Sequence, residues 1–304
     1  MIQVAFGPSG GKGGLADAIV AGGGEVSDAS AAEVLVWTHP GEAEALAATL
    51  DAHPGIRWVQ LPWAGIEQQL DVVRAHPDRT WTCAKGVYAE PVAELALTLL
   101  LAGLRGLGTY ARATAWEPPR GTNLMGASIT VVGGGGITES LVRLLGPFRC
   151  DLTVVRRRTA GVDGASRVVT IEHLDDALAG ADAVVLALAL TAETVGLIDR
   201  RRLDLLGERG WLVNVARGRH VVTGDLVAAL CEGTLGGAAL DVTDPEPLPE
   251  GHPLWTTPNV LITPHVANTP EMAAPLLADR IKQNLRRWSA GEPLLGLVDG
   301  AAGY

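Results

Sequence analysis

The chain has 304 residues, room for about two domains of ordinary size. With 47% hydrophobic but only 4% aromatic residues, it suits α/β units built on buried parallel strands. A formal net charge of −10 excludes the broad basic field that nucleic acid requires, yet leaves room for a small anion in a locally positive pocket.

Cys83, Cys150 and Cys231 are scattered and form no CxxC pair, so a reducing, cytoplasmic setting is expected rather than a disulfide framework. Met1-Ile2-Gln3-Val4-Ala5-Phe6 reads as a first strand. It has neither the basic start nor the apolar core of a signal peptide. The apolar runs 95–104 and 183–190 fall short of the roughly 20 residues that span a bilayer, so no membrane partner is expected.

In chain order, residues 2–6, 34–37 and 58–61 read as strands, and 15–21 and 43–52 as helices. This is the βαβ alternation of a parallel sheet. Gly22-Gly23-Gly24 reads as the loop that ends the first helix. Residues 90–115 form one long helical pattern with Pro91 near its start, where proline is tolerated. Trp116-Glu117-Pro118-Pro119-Arg120-Gly121 breaks it, and the crossover to a second domain is placed there. From Ser128 the alternation restarts. Residues 129–132, 152–155, 184–190, 211–215, 237–242 and 260–263 read as strands, and 139–145 and 174–179 as helices. That gives a doubly wound sheet of about six or seven strands. A last helix spans about 271–288.

The turn in Val131-Val132-Gly133-Gly134-Gly135-Gly136 has a strand before it and a helix after it, the context of a dinucleotide fingerprint. Gly133 makes the tight turn and Gly135 admits a pyrophosphate to the helix N-terminus, beside Gly136 and Ile137. Thr138 stands where the third fingerprint glycine falls. The next strand ends in Arg156-Arg157-Arg158 where an acid would bind a ribose hydroxyl, and Asp151 lies at the wrong end. Three guanidinium groups there favour a 2′-phosphate, so NADP(H) is expected over NAD(H).

Arg217, Glu246 and His265 each follow an apolar, strand-like run, as does Asp241. Singly, these have ordinary readings as an ion pair, a loop carboxylate, a core histidine and a turn cap. Jointly they fall where the strand ends of a doubly wound sheet converge on one crevice. They supply a guanidinium for an anion, an imidazole for a proton and a carboxylate to hold the imidazole protonated. Gly7-Pro8-Ser9-Gly10-Gly11-Lys12-Gly13 resembles a P-loop, but has one residue too few between the glycines and no Ser or Thr after Lys12. The remaining histidines, His39, His53, His76, His173, His220 and His252, show no metal-ligand spacing, so no metal is expected.

These blocks resemble the D-isomer-specific 2-hydroxyacid dehydrogenases, in particular the shorter glyoxylate/hydroxypyruvate reductase-like members. The likeness rests on Trp58-Val59-Gln60-Leu61-Pro62-Trp63-Ala64-Gly65-Ile66, on Val92-Ala93-Glu94, on the glycine turn, on 213–218 and 239–247, and on His252-Pro253-Leu254-Trp255 leading to Pro264-His265. The resemblance implies two Rossmann-like domains, with the cofactor domain inserted into the substrate domain. On that basis residues 1–95 and 271–304 are expected to form the substrate domain and 96–270 the dinucleotide-binding domain. It implies Arg217, Glu246 and His265 as the catalytic set, and backbone N–H groups of Ala64, Gly65 and Ile66 on the substrate carboxylate. It places Thr191, Ala216 and Asp241 on the cofactor, and suggests a homodimer. Three departures stand out: Thr138, the bulky Trp63, and the absence of a proline in Ala187-Leu188-Ala189-Leu190-Thr191.

The activity expected is reduction of a small anionic 2-oxo acid to the D-2-hydroxy acid. Alternatives are a NAD-dependent dehydrogenase of a bulkier D-2-hydroxy acid, an enzyme of formate- or phosphite-type substrates, and a non-catalytic dinucleotide-sensing module. The intact Arg–Glu–His set opposes the last, since a binding module has no need of an acid/base pair.

Overall fold

The computed structural model describes residues 1–8, 14–39 and 41–300, so most of the segment resembling a P-loop lies outside the described residues. The chain divides into two compact units. Met1–Tyr88 and the chain from Thr269 onward form the first, and Ala89–Asn268 forms the second as one uninterrupted insertion.

The first unit contains β1 (Ile2–Gly7), α1 (Leu15–Ala21), β2 (Gly24–Val26), β3 (Val34–Trp37), α2 (Ala43–Ala52), β4 (Trp58–Gln60), α3 (Leu70–Ala75) and β5 (Thr80–Thr82). Its sheet is wholly parallel, in the order β2-β1-β3-β4-β5. Val34, Leu35, Val36 and Trp37 are all buried, as expected of a strand covered on both faces. A buried polar chain ties the C-terminal segment to this sheet. Asn284 donates to Gln60 Oε1 (3.3 Å) and Leu295 O (3.0 Å), and accepts from Leu295 N–H (2.8 Å). Thr82 donates to Gln60 Oε1 (2.8 Å) and accepts from the Trp58 indole (2.8 Å).

The second unit opens with α4 (Ala89–Leu104) and α5 (Leu107–Arg112). There follow β6 (Ser128–Val132), α6 (Gly136–Leu145), β7 (Asp151–Val155), β8 (Arg167–Val169), α7 (Leu174–Leu178), β9 (Ala183–Leu186), α8 (Arg200–Leu206), β10 (Trp211–Asn214), α9 (Thr223–Glu232), β11 (Gly237–Leu240) and β12 (Val260–Ile262). The chain then enters α10 (Pro270–Ala290) of the first unit. The second sheet is also parallel, in the order β12-β11-β10-β9-β6-β7-β8. Strand order reverses beside β6, which puts a switch point at the carboxyl ends of β6 and β9. Successive residues feed opposite faces. Val131, Val154, Val185 and Val213 join one core, while Val132, Val155, Val184 and Leu212 join the other.

Several expected boundaries move. The single helix over 90–115 is two helices, because Gly106 takes a left-handed conformation (φ 64°). Residues 116–121 lie inside the second unit, and the chain changes units at Tyr88/Ala89 and Asn268/Thr269 rather than at 95/96 and 270/271. The reason is packing: Ala93, Ala96, Leu99 and Leu100 of α4 belong to the core of the second sheet. The strand expected over 184–190 stops at Leu186, after which Ala187 closes against the Gly133 turn and residues 188–194 form a loop. Gly22 and Gly23 do end α1, but Gly24 starts β2. Three short strands, β2, β5 and β8, were not expected.

Candidate active site

The glycine turn is fixed by contact. Gly133 has φ 128°, and a Cβ there would strike the carbonyl of Ala187. A Cβ on Gly134 would meet the Arg156 side chain, so Arg156 lies over the turn. Gly135 differs: a Cβ on it would meet nothing within 4 Å. It caps α6 without a side-chain acceptor for the first N–H groups of that helix. Thr138 is fully buried and its hydroxyl has no hydrogen-bond partner. Gly136 and Ile137 are half-buried, and Arg157 and Arg158 are exposed.

Across the switch point, Thr191 Oγ1 donates to Glu193 (2.7 Å), and Thr191 N–H to Thr194 Oγ1 (2.8 Å). The Thr191 hydroxyl first, then the Glu193 N–H and the charge of Arg157, hold the Glu193 carboxyl below its usual range. The loops after β6, β7 and β9 therefore gather on one edge of the sheet.

The second cluster follows β10, β11 and β12. Asn214, buried at the end of β10, folds the next turn around its amide. Its Oδ1 accepts from Ala216 N–H (3.0 Å) and its Nδ2 donates to Arg217 O (2.9 Å). Gly218 has no room for a Cβ, which would strike the Thr243 carbonyl, so the Arg217 turn lies directly against the segment leading to Glu246. Glu246 Oε1 meets His265 Nδ1 at 2.6 Å, while its Oε2 accepts weakly from Thr243 N–H at 3.4 Å. The side chains of Glu246 and His265 are 41% and 49% exposed, so a small molecule can reach them. His265 Nε2 has no hydrogen-bond partner among the described residues.

The hydrogen bond from Glu246 raises the His265 pKa; burial and the charge of Arg217 oppose it, and Asp241 adds to it. The same hydrogen bond lowers the Glu246 pKa. The charge of Arg217 acts on both groups in the same direction, lowering the pKa of each.

Asp241, expected on the cofactor, is 2% exposed and faces the His265 turn. Its carboxylate accepts from Thr263 Oγ1 (2.6 Å), Val266 N–H (2.9 Å) and Ala267 N–H (3.0 Å). Its own carbonyl accepts from His265 N–H (2.8 Å). Ala216 is buried just before Arg217, and its carbonyl accepts from the Arg217 guanidinium at 2.8 Å.

In the first unit, the N–H groups of Ala64, Gly65 and Ile66 have no hydrogen-bond partner among the described residues. The loop is anchored on both sides. Ala84 N–H donates to Trp63 O (3.0 Å) and Tyr88 Oη to Pro62 O (2.7 Å), with the Trp63 and Tyr88 rings 5.6 Å apart. Among the described residues no group of three His, Cys, Asp or Glu side chains could hold a metal, and no helix is long and apolar enough to cross a membrane.

Sequence reasoning missed Asn214, Gly218 and His220. An Asn closing an apolar strand and a Gly after Arg217 are visible in the sequence, but their roles depend on contacts with residues far along the chain.

A doubly wound sheet with a fingerprint turn at its switch point defines a dinucleotide-binding α/β protein. Residues 96–267 match the family model described as D-isomer specific 2-hydroxyacid dehydrogenase, NAD binding domain. A protein of Corynebacterium melassecola known by its place in the proB 3′ region is 36% identical over 260 residues, covering 84% of this chain and 86% of that protein. Glyoxylate/hydroxypyruvate reductase A of Serratia proteamaculans is 30% identical over 291 residues, covering 91% and 89%. The crystal structure of a D-isomer specific 2-hydroxyacid dehydrogenase from Xanthobacter autotrophicus Py2, in complex with NADPH and MES, superposes with a TM-score of 0.86 at 28% identity, covering 100% and 99%. The chain belongs to the D-isomer-specific 2-hydroxyacid dehydrogenase family. It is an NAD(P)-dependent oxidoreductase.

Proposed function

We propose that the enzyme reduces a small 2-oxo acid of the glyoxylate or hydroxypyruvate kind to the D-2-hydroxy acid, with NADPH preferred. The observation that carries this reading is the His265–Glu246 contact of 2.6 Å, with the Arg217 turn packed against the segment leading to Glu246. Arg217 grips the substrate carboxylate and polarises the carbonyl. His265, bonded through Nδ1, presents Nε2 and gives a proton to the carbonyl oxygen. Glu246 raises the pKa of the ring and so favours the imidazolium. Asp241 holds the turn in which His265 sits. The free N–H groups of Ala64, Gly65 and Ile66 are an anion site of the kind a carboxylate takes.

The residues around the glycine turn fit a dinucleotide. Gly135 leaves the space a pyrophosphate needs at the start of α6, with Gly136 and Ile137 next to it. Arg156, Arg157 and Arg158 follow β7 where a 2′-phosphate would lie, and Thr191 and Ala216 flank the crevice. When bound, the nicotinamide supplies the hydride. The relatives named glyoxylate/hydroxypyruvate reductase A support the substrate class, and the NADPH-bound neighbour supports the cofactor choice.

The test is a panel of glyoxylate, hydroxypyruvate and bulkier 2-oxo acids with NADPH and NADH in parallel, followed by loss of nicotinamide absorbance. We expect kcat/KM for glyoxylate or hydroxypyruvate to exceed that for the bulkier acids, and to favour NADPH by at least ~10-fold. No turnover with either small acid would refute the substrate reading.

A further inference from the structure

His220 lies three residues beyond Arg217, is fully buried, and ends a short 3₁₀ turn over Gly218–His220. Its Nδ1 is 3.0 Å from the carbonyl oxygen of Thr194, and its Nε2 is 3.3 Å from that of Leu188. A neutral ring donates to one of these carbonyls and a protonated ring to both. Main-chain bonds run alongside. Gly196 N–H donates to Arg219 O (2.8 Å), Ile198 N–H to His220 O (2.8 Å) and Val222 N–H to Ile198 O (2.9 Å). These hold the far end of the loop after β9, at 196 and 198, while the imidazole meets the loop at 188, near its start, and at 194. On the other side, His220 N–H donates to Arg217 O (3.2 Å), the carbonyl that also accepts from Asn214.

Leu197, Ile198, Ala216 and Val221, which lie near His220 or its two partners along the chain, are buried members of one apolar core. A residue that only filled space there would be apolar too, because a buried polar ring is tolerated only when its nitrogens find partners. Here both partners belong to one loop, the loop that carries Thr191.

We propose that His220 is a positioning residue whose ring locks the Thr191-bearing wall of the cofactor crevice to the Arg217 turn, so that cofactor binding and substrate grip are set by one rigid piece. This rests on the roles given above to Thr191 and Arg217. Without the imidazole, the carbonyls of Leu188 and Thr194 lose that partner and the loop is free to shift.

The test compares His220→Leu, His220→Asn and His220→Gln in the full-length enzyme. NADPH affinity is read by fluorescence titration, kcat and KM by turnover of glyoxylate, and folding by circular dichroism and melting. We expect folded His220→Leu to bind NADPH about 10-fold more weakly and to lose kcat about 10-fold, the scale of a buried hydrogen bond left unmet. His220→Asn, whose amide nitrogen falls near the Nδ1 position, should recover part of both. A space-filling role gives another pattern: a changed melting temperature with NADPH affinity and kcat unaltered, and Leu tolerated better than Asn. That pattern overturns the proposal. Should His220→Leu not fold, His220→Phe fills the space of the ring without a donor, and wild-type NADPH affinity and kcat in that variant would overturn the proposal equally. Failure of the Arg217 reading is seen separately. Arg217→Lys with undiminished glyoxylate turnover refutes that role, while the titration still reports on the crevice wall.

Discussion

At the scale of single residues, His265 is held in a conformation that a bulky side chain seldom adopts, with φ 53°. Such strain costs on the order of 1–3 kcal/mol and persists only where the surroundings impose it. The three hydrogen bonds to the Asp241 carboxylate are that imposition. If His265 is the proton donor, His265→Asn should bind NADPH normally and lose kcat by roughly 10²–10⁴-fold; near-normal turnover would remove the residue from the mechanism. The pH dependence has a definite sign. If His265 donates the proton, reduction needs the imidazolium, and because Glu246 raises its pKa, activity should persist below the raised value and be lost as pH climbs through it. In Glu246→Gln the main raising influence is gone while burial and Arg217 still push down, so the alkaline limb of the kcat/KM profile should move to lower pH. An unchanged profile leaves Glu246 a structural part only. Both side chains are nearly half exposed, so the melting temperature should change little. The sequence placed all three of these residues at strand ends, but it could not show that Asp241 faces the His265 turn, because that depends on how two non-adjacent turns are oriented.

Among the elements, the start of α6 shows the clearest mismatch between sequence and packing. Thr138 is fully buried with a hydroxyl that meets no partner. Such an orphan costs about 1–3 kcal/mol, and replacing it by an apolar group of the same shape relieves it. Thr138→Val should therefore raise the melting temperature and leave NADPH affinity as it is; a lower melting temperature would show that the hydroxyl has a partner after all. On the proposed reading, the turn after β7 sets the cofactor choice. Replacing Arg156, Arg157 and Arg158 together by Gln should raise KM for NADPH ~10-fold or more, while NADH kinetics change little. A triple variant still selective for NADPH would refute this use of the turn. Strong helices and long apolar strands were legible because their periodicity runs over many residues. The three-residue strands β2, β5 and β8 were not, since so short a run carries no period. The break between α4 and α5 was hidden because Gly106 differs from an ordinary helical glycine only in its backbone angle. Gly103, one turn earlier, stays helical and makes room for Trp211 instead.

For the whole molecule, the division into units follows the cores. Both cores of the second unit draw every member from residues 89–268. A core cluster of the first unit draws on residues between Ala5 and Cys83, with Val298 packed against it, and Ala273, Leu277, Ile281 and Leu285 of α10 are buried in the same unit. Composition and alternation announced two α/β units, and the boundary was missed by several residues because an apolar helix does not say which sheet it covers. A segment that supplies its own core, closes its own sheet and is continuous in sequence has what an independently folding domain needs. We therefore expect residues 89–268, expressed alone, to melt cooperatively and to bind NADPH, since the glycine turn, the arginines after β7 and Thr191 all lie within it. The same fragment should not reduce glyoxylate if, as proposed, the substrate carboxylate needs the N–H groups of Ala64, Gly65 and Ile66, which the fragment lacks. Circular dichroism and fluorescence titration check the first half, and the absorbance assay checks the second. A fragment without a cooperative melt would show that the second unit depends on the first for its stability. A fragment that turned over glyoxylate at the full-length rate would remove the 64–66 loop from the substrate site.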